Sequence, residues 1–109
     1  MQAQVNESDW KLFRKKLPDW QEAYMERLTQ EYAAVLAGSG KASEKFWELE
    51  KRINSEKNHV GVVAEMRRSV MYQNIISLLN EGAITQDDLQ DFSEDLKERF
   101  AFLWRKREN

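Results

Sequence analysis

The chain has 109 residues, 41% hydrophobic and 33% charged, which suits one globular domain with a single core and a heavily charged surface. It has no cysteine, which excludes disulfides, thiol nucleophiles and Cys-ligated zinc, and its net charge of −2 gives no general attraction to polyanions. One proline and four glycines leave little material for sharp turns, so long helices are expected rather than a β-sandwich, with four Trp, three Tyr and five Phe available to fill a small core.

In chain order, Ser8 is placed to cap a first short helix with Trp10, Phe13 and Leu17 on one side. Pro18 fits the first turn of a helix and not its interior, so a second helix is expected from there, striped by Trp20, Tyr24, Leu28, Tyr32, Val35 and Leu36 and ended by Gly38. A third helix is expected from Ser43, with Phe46, Leu49 and Ile53 on one face, running out near Asn58.

The fourth helix, at about residues 60–81, is the most apolar. Val62, Val63, Met66 and Val70 group on one side of its first half, and Tyr72, Ile75, Ile76, Leu78 and Leu79 group on the other side of its second half. Such a rotating face predicts a central position. In EGAITQDDLQDF, Gly82 suits the left-handed residue after that helix, Thr85 with Asp88 forms a capping box, and Ile84 can staple onto Leu89. Leu89, Phe92, Leu96, Phe100 and Leu103 then stripe a fifth helix. The expected fold is therefore all-α: a compact bundle of four or five helices, with a central apolar helix and an antiparallel C-terminal helical hairpin. It forms one domain over residues 1–109, with 1–7 as a flexible tail.

The stretch AGSGKAS at 37–43 raises the question of a phosphate loop. Aligned on Gly40 and Lys41, the position of the first glycine of a P-loop is Val35 and that of the hydroxyl is Ala42, and a helix rather than a strand leads in. Both tests fail, so the stretch is a linker. His59 is the single histidine, with no nucleophile or carboxylate at a spacing that would recruit it, and it is expected to be a surface or capping residue. These readings leave no catalytic, cofactor-binding or metal-binding residue, and the chain is expected not to be an enzyme.

Charge is unevenly spread. Residues 81–98 hold seven acids (Glu81, Asp87, Asp88, Asp91, Glu94, Asp95, Glu98) against Lys97, a local sum of −6. Asp87, Asp91, Glu94 and Glu98 recur at helical spacing, which complements a helix N-terminus and also forms a face suited to a basic partner. The C-terminal RFAFLWRKR interleaves aromatics with Arg99, Arg105, Lys106 and Arg107, leaving Phe102 and Trp104 outside the core stripe. The candidate partner-binding residues are thus Asp87, Asp88, Asp91, Glu94, Asp95, Glu98, Phe102 and Trp104. Lys11, Arg14, Lys15 and Lys16 make a second basic patch, read as a solvated helix face.

SDWKLFRKKLPDWQEAYMERL, ASEKFWELEKRI and LLNEGAITQDDLQDFSEDLKE together resemble a family of short bacterial proteins often labelled "multidrug transporter". The resemblance covers roughly Ser8 to Leu103 and implies no catalytic motif. The transporter label disagrees with the residues: the longest apolar runs, such as AAVLA at 33–37, fall far short of the ~20 residues a membrane helix needs. The N-terminal MQAQVNESDW has no secretory pattern either, so a cytoplasmic chain without a membrane partner is expected. LLNEGAITQDDL is also similar to short helical oligomerisation modules.

The function expected is that of a small non-enzymatic interaction protein, by analogy an inhibitor or adaptor of host machinery such as a nuclease encoded by a mobile element. Its partner is expected to be a protein, with a basic surface where it meets the acids, and self-association is a close variant. The alternative is a nucleic-acid-binding regulator using the basic N-terminal and C-terminal patches.

Overall fold

The structure, a computed structural model, describes residues 5–103. Every regular element among them is helical: α1 (Glu7–Ala37), α2 (Ala42–Glu56), α3 (Met71–Asn80) and α4 (Glu94–Arg99), with 3-10 turns at Arg68–Val70 and Gln86–Leu89. The all-α class expected from composition is what forms, but the elements are divided differently.

The first two expected helices are one. α1 runs for 31 residues straight through Pro18, about 46 Å of helix. Proline here removes the hydrogen bond to the carbonyl of Arg14. Both residues are exposed, so water can take that carbonyl. The helix continues because one stripe holds it on both sides of the proline: Trp10, Phe13 and Leu17 before, Tyr24 and Leu28 after, all buried. The N-terminal boundary also moves. Val5 packs against the core, the Asn6 side chain accepts the Ser8 N–H at 2.8 Å, and Glu7 opens α1, so residues 5–7 belong to the fold rather than to a tail.

Residues 60–70 are not the first half of a central helix. The Glu81 carboxylate accepts the backbone N–H groups of Val60 (2.9 Å) and Gly61 (3.0 Å), and the Gln21 amide donates to the Val60 carbonyl at 2.9 Å. These bonds hold the segment as a loop across α1. A Cβ on residue 61 would lie 2.3 Å from the Tyr24 ring, so only glycine lets the loop approach this closely. Val60, Val62 and Val63 add no opposing force, since β-branched residues and glycine are weak helix formers. α3 therefore starts only at Met71, and it buries Met71, Asn74, Ile75, Leu78 and Leu79.

The expected fifth helix is also broken. Gly82 does take a left-handed φ of 75°, and Ile84 and Leu89 are both buried in the core. Thr85 and Asp88 form the expected capping box, Asp88 accepting the Thr85 N–H at 2.7 Å and the Thr85 hydroxyl at 3.3 Å. Only a 3-10 turn follows before Ser93 starts α4. Ser93 accepts the Leu96 N–H at 3.2 Å, and its own N–H and hydroxyl donate to Asp9 at 2.9 and 2.6 Å. Among the described residues Asp9 is the one buried carboxylate, only 3% exposed, and it fastens the start of α1 to the start of α4.

The core joins the first half of α1 to α3, the Ile84–Leu89 turn and α4, closing over Phe13, Ile75, Leu96 and Phe100. The rest of α1 and all of α2 lie outside it. AGSGKAS joins these two helices, as read from the sequence: the Gly38 N–H closes α1 onto the Val35 carbonyl at 3.2 Å, and the Lys41 N–H donates to Glu44 at 2.8 Å to open α2. The molecule is consequently elongated, 52 × 33 × 24 Å, with a radius of gyration of 16.7 Å against about 13 Å for a compact chain of this size.

Two stability predictions follow from these helix joints. Pro18→Ala restores a backbone bond in mid-helix and should raise the unfolding free energy by about 1–3 kcal/mol in chemical denaturation. Asp9→Ala leaves the buried Ser93 N–H without its acceptor and should cost about 1–3 kcal/mol. A Pro18→Ala protein no more stable than the parent would show that the proline sits at a real helix boundary.

Candidate functional site

The acidic candidates do not form the single helical face their spacing suggests. Asp87 and Asp88 lie in the 3-10 turn, and Asp88 is committed to the Thr85 cap. Asp91 sits in the following bend and pairs with Lys16 at 3.5 Å, while Glu94 pairs with Lys97 one turn along α4 at 2.9 Å. Asp95 and Glu98 do come together, lining a polar cleft of about 650 Å³ with Asn6, Asp9, Tyr72 and Arg99. Phe102 is half-exposed at the end of the described chain. Trp104, Arg105, Lys106 and Arg107 lie outside the described residues.

The basic N-terminal patch is partly engaged within the molecule. Lys16 is taken by Asp91. Arg14 and Arg68 each lie over the Trp10 ring, at 5.8 and 5.5 Å from its centroid. Arg68 also forks onto Glu7 at 2.8 and 3.2 Å, and this hydrogen bonding holds the Glu7 carboxyl below the usual range. At the other end Arg99 stacks over Tyr72 at 4.4 Å.

The surface that sequence reasoning missed is the α1–α2 arm. α2 has no buried residue. Its inward side, toward α1, carries the half-buried Lys45, Glu48, Leu49, Arg52 and Glu56. The aromatic side is turned out: Phe46 is 62% and Trp47 63% exposed, their rings packed edge to face at 4.9 Å. Ile53 at 42% and Leu36 at 50% extend the apolar side along the arm. The expected Phe46–Leu49–Ile53 face therefore exists, but the fold leaves most of it uncovered. One signal was available: Phe46 and Trp47 are adjacent, so a helix buried on one stripe cannot cover both.

At the base of the arm the apolar side deepens into a groove of about 350 Å³, lined by Met25, Leu28 and Tyr32 of α1, Ile53 of α2 and Val62 of the loop. Its rim is fixed by polar bonds. The Tyr32 hydroxyl donates to Glu56 at 2.5 Å, and the Tyr24 hydroxyl is hydrogen-bonded to His59 Nδ1 at 2.8 Å. His59 is thus a brace between the loop and α1, not a free surface residue. Arg27 completes the brace by donating to the Gly82 carbonyl at 2.6 Å.

Among the described residues no group of three His, Cys, Asp or Glu side chains is placed to hold a metal ion, and no helix is long and apolar enough to cross a membrane. Compared with known proteins, the chain matches no family model, no curated protein and no solved structure.

Partial burial against α2, with the bond to Glu56, pushes the Tyr32 phenol up to about 12, and burial followed by the Glu81 charge also raises Tyr24. The folded state thus favours the neutral phenols. Their contribution is complete below the ordinary tyrosine value near 10 and is lost as pH rises through about 12 for Tyr32. A phenolate absorbance titration should show one step near pH 12 that Tyr32→Phe removes. A Tyr32 step at the ordinary value would mean that its bond to Glu56 does not form.

Proposed function

We propose that this chain is a non-catalytic interaction protein whose working surface is the outward side of the α1–α2 arm. The observation that carries this reading is the exposure of Phe46, Trp47, Ile53 and Leu36 on an arm whose second helix has no fully buried residue. Scattered apolar residues are ordinary on a surface, but a packed aromatic pair with further apolar residues exposed on the same arm among charges marks a contact site. Aromatic anchors of this kind supply most of the free energy in protein interfaces, because they lose a large wet area at little conformational cost. Inhibiting or bridging another protein needs such a surface and no reacting group.

The acidic residues serve less well as the anchor. Asp88, Asp91 and Glu94 already have partners within the chain, and exposed charges contribute little affinity once water and salt compete. They fit the rim of a contact better than its centre.

The test is a photoreactive phenylalanine analogue placed at position 46 or, in a separate protein, at position 94, each expressed in the native host. Adducts are expected from position 46 and not from 94. In the purified complex, Trp47→Ala should weaken binding roughly 30-fold, the equivalent of the ~2 kcal/mol lost with an aromatic anchor. Adducts confined to position 94 would move the working surface to the acidic side.

A further inference from the structure

We infer that the occupant of the arm's apolar side is a second copy of this chain, paired with the first through α2 in antiparallel orientation. The inference rests on the reading of the arm as the working surface and names the partner. Three features of the arm carry it.

The first is its register. Phe46, Glu50, Ile53 and Lys57 recur at spacings of four, three and four, so at α-helical pitch they fall within a sector of roughly 60° on one flank of α2, whose Ile53 and Lys57 end borders the groove against α1. This is the repeat with which one helix packs along another. Within the described chain Phe46 stays 62% and Ile53 42% exposed.

The second is charge. Two antiparallel helices related by a two-fold axis bring residue i of one level with residue j of the other wherever i and j lie equally far from the axis. An axis beside Ile53 sets Glu50 of each chain against Lys57 of its partner, so the two charges on this side meet opposite charges twice over. An axis beside Glu50 would instead set the two Glu50 carboxylates together, which like-charge repulsion opposes. One register is selected.

The third is shape and area. In the selected register Phe46 lies about 11 Å from the axis, just past the level of the partner's Lys57, which lines the groove. Each chain then offers a knob, Phe46 with Trp47, and a hollow, the groove of about 350 Å³ that Ile53 and Lys57 border. A standard interface takes about 800 Å² from each partner, roughly three-fifths of it apolar. Phe46, Trp47 and Ile53 are 62%, 63% and 42% exposed, which supplies roughly 300 Å² of apolar area before the groove is counted. The supply approaches the need.

The experiment is the mass of the purified full chain by sedimentation equilibrium over a wide concentration range, with circular dichroism run beside it. The parent should weigh as two chains. Glu50→Lys should weaken the dimer at least about tenfold, as should Lys57→Glu, and the double swap should restore it, because every contact is then an opposite pair again. Phe46→Asp should give a monomer with unchanged helix content, since the residue is exposed within the chain. A parent that stays monomeric throughout overturns the inference, and so does a dimer indifferent to Phe46→Asp and to both charge reversals. If the parent is monomeric while a photoreactive residue at position 46 still captures another macromolecule, the arm remains the working surface and only the self-pairing falls.

Discussion

The carboxylate of Glu81 takes two backbone N–H groups, from Val60 and Gly61, that would otherwise lie inside a helix. An acid at the end of α3 thereby decides where α3 does not begin. With those donors held, the loop lies across α1, its one glycine pressed onto the Tyr24 ring and its Val60 carbonyl taken by Gln21. Buried polar groups have to be paired somewhere, and pairing them here stops the apolar 60–70 segment from extending α3. The same junction marks where the core ends. Below it α1 is buried against α3 and α4; beyond Leu28 its main companion among the described residues is α2.

What holds the arm together is mostly local. α2 is 15 residues long, a length at which an isolated helix is marginal in water. The Glu44 carboxylate opens it and the Glu48–Arg52 pair braces its middle at 3.0 Å, interactions that each contribute a few tenths of a kcal/mol. Tyr32 and Glu56 tie its end to α1. The arm is thus the least protected part of the described structure and the part with the most uncovered apolar surface. Those two properties have one cause, since covering the Phe46 side is also what would stabilise α2.

Much of the buried layer was legible in the sequence. The Trp10–Phe13–Leu17 and Tyr24–Leu28 stripes, the apolar side of α3, the glycine at position 82 and the Leu89–Phe92–Leu96–Phe100 series follow from periodicity and from the conformational freedom of glycine. The boundaries that failed were set by distant residues. Pro18 does not end a helix because packing on both flanks keeps it going, and local chemistry sees only the proline. Ser93 starts a helix because Asp9, 84 residues away in sequence, takes its N–H and hydroxyl. The candidate site was the least legible feature. Periodicity says that Phe46 and Ile53 share a side of α2, but whether a neighbour covers that side depends on how α2 sits against α1. The acidic series was misleading for a related reason: its helical spacing held, but the backbone beneath it is not one helix.

The continuity of α1 gives the exposed side a physical advantage. One 31-residue helix begins in the core and ends at the tip of the arm, so the arm's direction is set by the packing of Trp10, Phe13, Leu17, Tyr24 and Leu28 and not by a flexible joint. The braces at Tyr24–His59 and Arg27–Gly82 resist bending where α1 leaves the core. On the proposed reading, a partner that lands on Phe46 and Trp47 meets an arm whose direction is already set by α1, so what is left to order on binding is α2 itself. Two separate helices with a joint at Pro18 would present the same side chains with a larger ordering cost. The unbroken passage through the proline thus sets the direction of the proposed surface, although Pro18 lies well before it in α1.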